Sequence, residues 1–145
     1  MASEGGDHKA RILRALGRWE ARQQPKKKTK GKRLDVPYER QEAAWFVQWL
    51  DARGLLFCHI PNEGKRSNGA ALQAVGLRRG APDLLVFTCR PGIRGIAIEL
   101  KRRKYYRHAP EQVEFLARLR ALGWVAEFAH GCEEAIAIVE ANLGE

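Results

Sequence analysis

The chain has 145 residues, of which 45% are hydrophobic and 30% are charged. This length suits one ordinary domain, and the composition excludes a mainly disordered protein. The apolar runs are far shorter than the ~18 residues of a membrane helix. Three scattered cysteines, Cys58, Cys89 and Cys132, exclude a disulfide scaffold. We therefore expect a cytoplasmic protein without a membrane partner.

The positive charge is concentrated at the N-terminus. Residues 1–36 carry eleven Lys and Arg against four Asp and Glu, whereas the remaining 109 residues carry fifteen against thirteen. Such an excess usually indicates a polyanionic partner, most often nucleic acid, because neutralised phosphates release counterions. A solubilising tail would have the same composition.

This N-terminal segment divides into a helix and a linker. One apolar stripe recurs at helical spacing and must dock on the core, a second subunit or a partner: Ile12, Leu13, Leu16 and Trp19. Residues 24–33 contain no apolar side chain and include Lys26, Lys27 and Lys28, which predicts a flexible basic linker. We divide the chain into a basic helix and linker over 1–34 and a compact domain over 35–145.

The compact domain alternates helical and strand patterns. The predicted helices cover residues 38–53, 70–75, 110–122 and 133–143, and the predicted strands cover 55–60, 83–89, 96–101 and 124–129. Three strands in succession, then a helix, a strand and a last helix, are typical of an α/β fold around a mixed sheet.

The strand over residues 96–101 carries the first chemical signal. Its side chains alternate, so one face holds only apolar residues, Ile96, Ile98 and Leu100. The other face holds Glu99 and Lys101 beside an alanine. Charged side chains are rarely buried without a partner, so this face requires an explanation.

The preceding strand opens with Pro82-Asp83. A hairpin turn centred between Pro91 and Gly92 predicts that Asp83 lies opposite Leu100, one residue from Glu99. Two carboxylates at that range repel unless a cation lies between them, and their oxygens suit Mg²⁺ or Mn²⁺. Plain ion pairs with Lys101 are the alternative. Because this combination inside apolar strands seldom arises by chance, we favour a catalytic site.

These residues resemble a known nuclease signature. Pro82-Asp83 followed by Glu99-Leu100-Lys101 is similar to the PD-(D/E)xK motif, and residues 76–83, 96–101 and 110–112 resemble the VRR-NUC family of virus-type replication-repair nucleases. The resemblance covers about residues 37–143. It implies a restriction-endonuclease-like α-β-β-β-α-β core with a mixed sheet. It also implies a DNA endonuclease that uses Mg²⁺ or Mn²⁺.

The resemblance extends to assembly and location. It implies a homodimer that cuts branched DNA such as four-way (Holliday) junctions, in a bacterial or phage-infected cell or at its nucleoid. The apolar stripe of the N-terminal helix and the last helix are both candidate dimer contacts. No phosphate-binding loop is present, so we expect no nucleotide cofactor.

The resemblance also implies roles for single residues. Asp83 and Glu99 hold the metal, and Lys101 positions water or stabilises charge on the phosphate. Family members place a glutamate on the first helix, for which Glu42 is the better match and Glu39, one turn earlier, the alternative. Gln112 matches the family's glutamine and would orient the site. For these helix residues an ordinary exposed first-turn position is the competing interpretation.

Basic side chains surround these strands in sequence and predict DNA contacts. The candidates are Lys65, Arg66, Arg78, Arg79, Arg102, Arg103, Lys104, Tyr105 and Arg107, together with the linker lysines. Solvated loop charge is the alternative for each pair. Two other functions remain open: a DNA-binding module without catalysis, and a restriction-like or RNA-directed nuclease with the same site.

Overall fold

The computed structural model describes residues 36–61, 69–104 and 107–144. The N-terminal helix and linker lie outside these residues, so the division of the chain at residue 34 stays a prediction. The described helices are α1 (Glu39–Ala52), α2 (Gly69–Ala74), α3 (Pro110–Ala121) and α4 (Cys132–Glu140). The described strands are β1 (Phe57–His59), β2 (Leu84–Val86), β3 (Ile96–Lys101) and β4 (Val125–His130).

The four strands form one mixed sheet in the order β1-β2-β3-β4. β2 is antiparallel to both β1 and β3, and β4 runs parallel to β3 after the crossover through α3. The predicted α/β class with a mixed sheet is therefore confirmed. Among the described helices, none is long and apolar enough to cross a membrane.

The sheet separates two layers of packing. On one face Ile96, Ile98 and Leu100 contact the apolar sides of α1 and α4 in the main core. On the other face Ala97 packs with Ala126 beneath Leu116 of α3. This is the predicted alternation of β3. All six residues of β3 are buried, although only one of its faces is apolar along its whole length.

The register of β2 on β3 differs from the prediction by one residue. Leu84 pairs with Ile98 and Val86 with Ile96, whereas the predicted turn would pair Leu84 with Glu99. Extended by one residue beyond the last pair, the observed register sets Asp83 level with Glu99 and not with Leu100. The connection between the strands is a wide loop, in which the Arg94 N–H donates to the Gly123 carbonyl at 3.0 Å. A tight-turn signal could not fix the register of such a loop.

Both β1 and β2 are shorter than predicted. The Thr88 hydroxyl, in place of a backbone carbonyl, accepts the Leu56 N–H at 2.9 Å. Two residues later the Arg90 N–H donates to the Asn142 carbonyl at 2.9 Å, at the end of α4. The chain therefore leaves the ladder soon after β2, although its sequence continues as an apolar run.

Helices α1 and α3 begin with the same type of N-terminal cap. The side-chain oxygen of Gln41 accepts the Tyr38 N–H at 3.1 Å, and that of Gln112 accepts the Ala109 N–H at 3.2 Å. Each bond satisfies a backbone donor at a helix start. Proline at the first position of α3 supports the same start, since its fixed φ suits a helix.

Candidate active site

Two carboxylates face each other where β2 begins and β3 ends. The side chain of Asp83 is buried, and its Oδ2 accepts the Leu100 N–H at 2.8 Å. The Asp83 carbonyl accepts the Ile60 N–H at 2.7 Å, which anchors the residue to the chain after β1. Glu99 is 3% exposed on the neighbouring strand. The sheet ladder thus holds both carboxylates through backbone contacts.

Two donors converge on one oxygen of Glu99. Lys101 Nζ lies 2.9 Å from Glu99 Oε1, and the Lys101 side chain is itself buried. The Gln112 amide nitrogen donates to the same Oε1 in a very short contact. Because the other end of that amide caps α3, the helix start fixes how Gln112 meets the carboxylate. The structure therefore places Asp83, Glu99, Lys101 and Gln112 together, as the sequence predicted.

Burial controls the charge of Glu99. Its pKa is raised above the ordinary value of 4.5, chiefly because the buried carboxylate loses hydration. The hydrogen bond and positive charge of Lys101 oppose this rise, and the negative charge of Glu39 adds to it. A carboxylate that is both desolvated and repelled by a neighbouring anion favours the approach of a cation.

These residues open into a cleft of about 400 Å³. Its floor contains Asp83, Glu99 and Lys101, and its walls are the loop over residues 77–81 and the first turn of α3. Gly80 lies against that turn with φ +80°, where an added Cβ would be 2.3 Å from the Glu111 carbonyl oxygen. Only glycine fits here, so the two walls remain in backbone contact.

The preference for Glu42 as the helix carboxylate disagrees with the structure. Glu42 is fully buried and does not line the cleft. Its Oε1 accepts a hydrogen bond from Arg103 Nε at 2.9 Å, and its Oε2 accepts the Cys132 N–H at 2.7 Å. Glu39, the alternative, lines the cleft and is close enough to affect the pKa of Glu99.

Glu42 does not reach the cleft because of the direction in which its side chain leaves α1. The buried residues of this helix are Glu42, Phe46, Trp49 and Leu50, which form the stripe that packs on α4 and the sheet. Glu42 therefore belongs to the core and caps the start of α4, where an anion is favoured. Helical periodicity alone places both glutamates near one face and cannot tell which of them the neighbouring α4 covers.

Two arginines proposed for DNA contact bind other parts of the protein. Besides its bond to Glu42, Arg103 lies 3.6 Å from Glu133 Oε2. Arg102 donates to the Val36 carbonyl at 2.9 Å, and its guanidinium is 4.5 Å from the ring centre of Tyr38. Arg102 thus joins the segment after β3 to the residues that precede α1, and Arg103 joins it to α1 and α4. The sequence did not predict these contacts, and DNA binding by either arginine stays a prediction.

The other basic candidates differ in exposure and in their contacts with the rest of the protein. Arg78 donates to the carbonyls of Gln73 and Leu77 and so braces the cleft loop. Arg79 is mostly exposed at the cleft and lies 3.9 Å from Glu111. Lys104 and Arg107 are exposed. The remaining candidates lie outside the described residues: Lys26, Lys27, Lys28, Lys65, Arg66 and Tyr105.

The donor set fits one type of metal ion. Within the described residues no group of three or more His, Cys, Asp and Glu is arranged to hold a metal. Asp83 and Glu99 nevertheless provide two facing carboxylates in an open cleft. Mg²⁺ is usually held by one or two carboxylates and completed by water and substrate phosphate. Two hard oxygen donors beside a cleft match that mode, whereas a closed zinc cage does not.

The fold is an α/β domain, and its cleft holds two carboxylates and a lysine where β2 begins and β3 ends. This is the arrangement of a nuclease-type hydrolase. The family model of the VRR-NUC domain matches residues 38–133, so the chain belongs to the VRR-NUC family. The family consists of nucleases, which gives this chain a nuclease-type function in DNA processing. Nucleases of this kind generally use divalent metal ions.

One solved structure shows the same fold. It is named "VRR_NUC domain protein" and superposes with a TM-score of 0.53 over 92% of this chain and 86% of that chain, at 22% sequence identity. No curated protein matches the sequence. The restriction-endonuclease-like core predicted from the sequence is consistent with this neighbour.

Proposed function

We propose that this protein is a divalent-metal-dependent, structure-selective DNA endonuclease that hydrolyses phosphodiester bonds in branched DNA such as four-way junctions. One observation carries the proposal. Asp83 and Glu99 face each other across β2 and β3, and Lys101 Nζ lies 2.9 Å from Glu99 in an open cleft. A module that only bound DNA would gain nothing from two buried carboxylates at this position.

The residues divide the chemistry between them. Asp83 and Glu99 would hold Mg²⁺ or Mn²⁺, with Glu39 as the helix carboxylate nearest to them. When bound, such an ion polarises a phosphate oxygen and lowers the pKa of bound water. Lys101 carries a fixed positive charge into the cleft floor, where it stabilises negative charge that develops on the phosphate. The amide nitrogen of Gln112 donates to Oε1 of Glu99 and so holds that carboxylate in place.

Lys101 also stabilises the negative charge of Glu99. Its ammonium group is within hydrogen-bond distance of Glu99, and both side chains are buried. It therefore opposes, without cancelling, the rise in the pKa of Glu99 that burial causes. The same ammonium group would orient water or a phosphate oxygen that enters from the cleft.

Contacts with DNA would come from the exposed cations around the cleft and from the N-terminal segment. Arg79 lies on the cleft loop, and Lys104 and Arg107 flank the approach to α3. The eleven Lys and Arg of residues 1–33 would follow the phosphate backbone beyond the cleft. Deleting residues 1–33 should weaken DNA binding and reduce its salt dependence, by about 0.9 in the log–log slope for each phosphate that the shortened protein no longer neutralises.

A homodimer would supply the second cut that a junction requires. One chain has one such cleft in its described part, and two-fold symmetry duplicates it without new sequence. Light scattering of the purified protein tests this point. A mass near 16.4 kDa with and without a four-way junction would exclude the dimer. The cytoplasmic or nucleoid location stays a prediction.

The decisive experiment incubates the full chain with MgCl₂ or MnCl₂ and a panel of labelled duplex, flap, splayed, four-way and single-stranded DNA, with an RNA duplex beside them. Asp83→Asn is the matched control, because it keeps shape and removes charge. We expect paired cuts in the junction, absent from the variant and from EDTA-treated samples. Equal cutting of plain duplex would favour a restriction-like enzyme, and cutting of RNA alone an RNA-directed one. Binding without any cleavage would leave only the DNA-binding module.

A further inference from the structure

A pair of histidines lies beside the candidate active site but is not part of it. His130 ends β4 and is in register with Lys101 of β3, so the two side chains share one face of the sheet. His108 comes from the segment before α3. The Nε2 atoms of the two rings are 3.4 Å apart. The ring of His108 stacks on Phe128 with centres 3.8 Å apart and planes 7° from parallel, which fixes its orientation.

The state of His130 follows from its other ring nitrogen. Its Nδ1 lies 3.1 Å from Glu134 Oε2, and the same oxygen accepts the His130 backbone N–H at 2.8 Å. A carboxylate only accepts hydrogen bonds, so Nδ1 of His130 carries the proton. The lone pair of a neutral His130 is then on Nε2, the atom that points toward His108.

The distance between the two Nε2 atoms suits a shared metal ion. Hydrogen bonds from protein N–H groups usually span about 2.7–3.2 Å, which is shorter than the separation here. Two imidazole nitrogens about 2.0–2.1 Å from one tetrahedral zinc ion are about 3.3–3.4 Å apart. A carboxylate that holds the opposite ring nitrogen, as Glu134 does, is the usual support of a metal-binding histidine.

We propose that His108 and His130 form an open Zn²⁺ site, with Glu134 as the residue that orients His130. Because the protein supplies two ligands, water or a phosphate oxygen would complete the coordination, and the affinity should be modest. Imidazole favours Zn²⁺, whereas the carboxylates of Asp83 and Glu99 favour Mg²⁺ or Mn²⁺. One face of the sheet would thus hold two kinds of metal ion at separate places.

Zinc binding by the histidine pair does not depend on nuclease activity, so it can be measured without a cleavage assay. The full chain carrying Asp83→Asn and Glu99→Gln removes the carboxylate pair, so any zinc it binds must bind elsewhere. Titration of this protein with ZnCl₂ by calorimetry should show one site. His108→Gln in the same background should abolish it. Glu134→Gln should raise its dissociation constant by about 10–100-fold.

The matched control is His59→Gln, because His59 is exposed on β1 and lies outside the pair. It should leave zinc binding unchanged. Long-range ¹H–¹⁵N spectra of the imidazoles give an independent readout, in which zinc should shift the Nε2 signals of His108 and His130 together. Absence of zinc binding, binding that survives His108→Gln, or unshifted Nε2 signals at saturating ZnCl₂ would overturn the proposal.

Discussion

Two buried glutamates of this protein have opposite surroundings. Glu42 is fully buried, and each of its oxygens has its own donor, Arg103 on one and the Cys132 N–H on the other. Glu99 is almost as buried, but Lys101 and Gln112 both donate to one of its oxygens, and its pKa is raised. Burial alone therefore does not distinguish a carboxylate of the core from one that lines the cleft.

The difference lies in what surrounds each charge. Glu42 sits between α1, α4 and the segment after β3, and its charge is matched inside the fold. Glu99 faces Asp83 across the strands and has Glu39 nearby, so negative charge accumulates beside an open cleft. The first arrangement stabilises the native state. The second would be completed by a cation from solution if the proposed function is right.

The largest contrast should appear in catalysis. Glu99→Gln, Asp83→Asn and Lys101→Ala should each lower DNA cleavage by on the order of a thousandfold or more, since groups that act as a unit fail together. Glu42→Gln should change the rate constant little. Single-turnover cleavage of a four-way junction measures this, with circular dichroism to verify the fold. A Glu99→Gln variant that cuts at the wild-type rate would remove Glu99 from the site.

The two first-turn glutamates of α1 should rank differently in stability and in cleavage. Glu42 should contribute more to the free energy of unfolding, and Glu39 more to DNA cleavage. Glu42→Gln weakens two charge-assisted hydrogen bonds in the core, so we expect the free energy of unfolding to fall by about 1–3 kcal/mol. Glu39→Gln is the matched variant one turn earlier, and it should reduce cleavage with little change in stability. Urea unfolding and cleavage assays on both proteins measure the two effects. Loss of activity without loss of stability in Glu42→Gln would restore Glu42 as the helix ligand.

Substitution of Gln112 should lower metal affinity by an intermediate amount, because Gln112 acts on the metal site through Glu99. Gln112→Ala removes the helix cap and the contact to the carboxylate, and residues that orient a metal ligand typically contribute about 10–100-fold in metal affinity or activity. Gln41→Ala is the matched control, because Gln41 caps α1 in the same way but does not line the cleft. Mn²⁺ affinity by calorimetry compares them. An equal decrease in both variants would mean that capping alone accounts for Gln112.

The smallest effect should be a dependence of stability on pH. The raised pKa of Glu99 means that the folded state holds its proton more tightly than the unfolded state does. Wild-type protein in EDTA should therefore lose stability relative to Glu99→Gln as the pH rises from about the ordinary value of 4.5 through the raised pKa. MnCl₂ should reduce that loss by binding the charged carboxylate. Thermal melts over a pH series test this, and a difference that is independent of pH would contradict it.

Much of this organisation follows from local sequence. The alternation of β3 predicts its two faces, and the breakers around each element predict the order of helices and strands. The predicted register of β2 on β3 differs from the observed one by one residue, because the wide loop between these strands is held by a bond to the Gly123 carbonyl. No turn signal contains that long-range contact.

The preference for Glu42 over Glu39 disagrees with the structure for a related physical reason. Both lie in the first turn of α1, and only the packing of α4 determines which one is enclosed. The partners of Arg102 and Arg103 likewise come from distant parts of the chain. Sequence patterns therefore predict which groups come together at the cleft better than which neighbours surround them.

The antiparallel pairing of β2 and β3 also affects the order in which this site is assembled during folding. Asp83 and Glu99 belong to strands that are adjacent in sequence, so they can meet at a small loss of chain entropy. We expect water still to surround both carboxylates at that stage, and the desolvation that raises the pKa of Glu99 to follow when α3 docks on its face of the sheet. Burial of this charge would then come late in folding, when the apolar core can offset its cost.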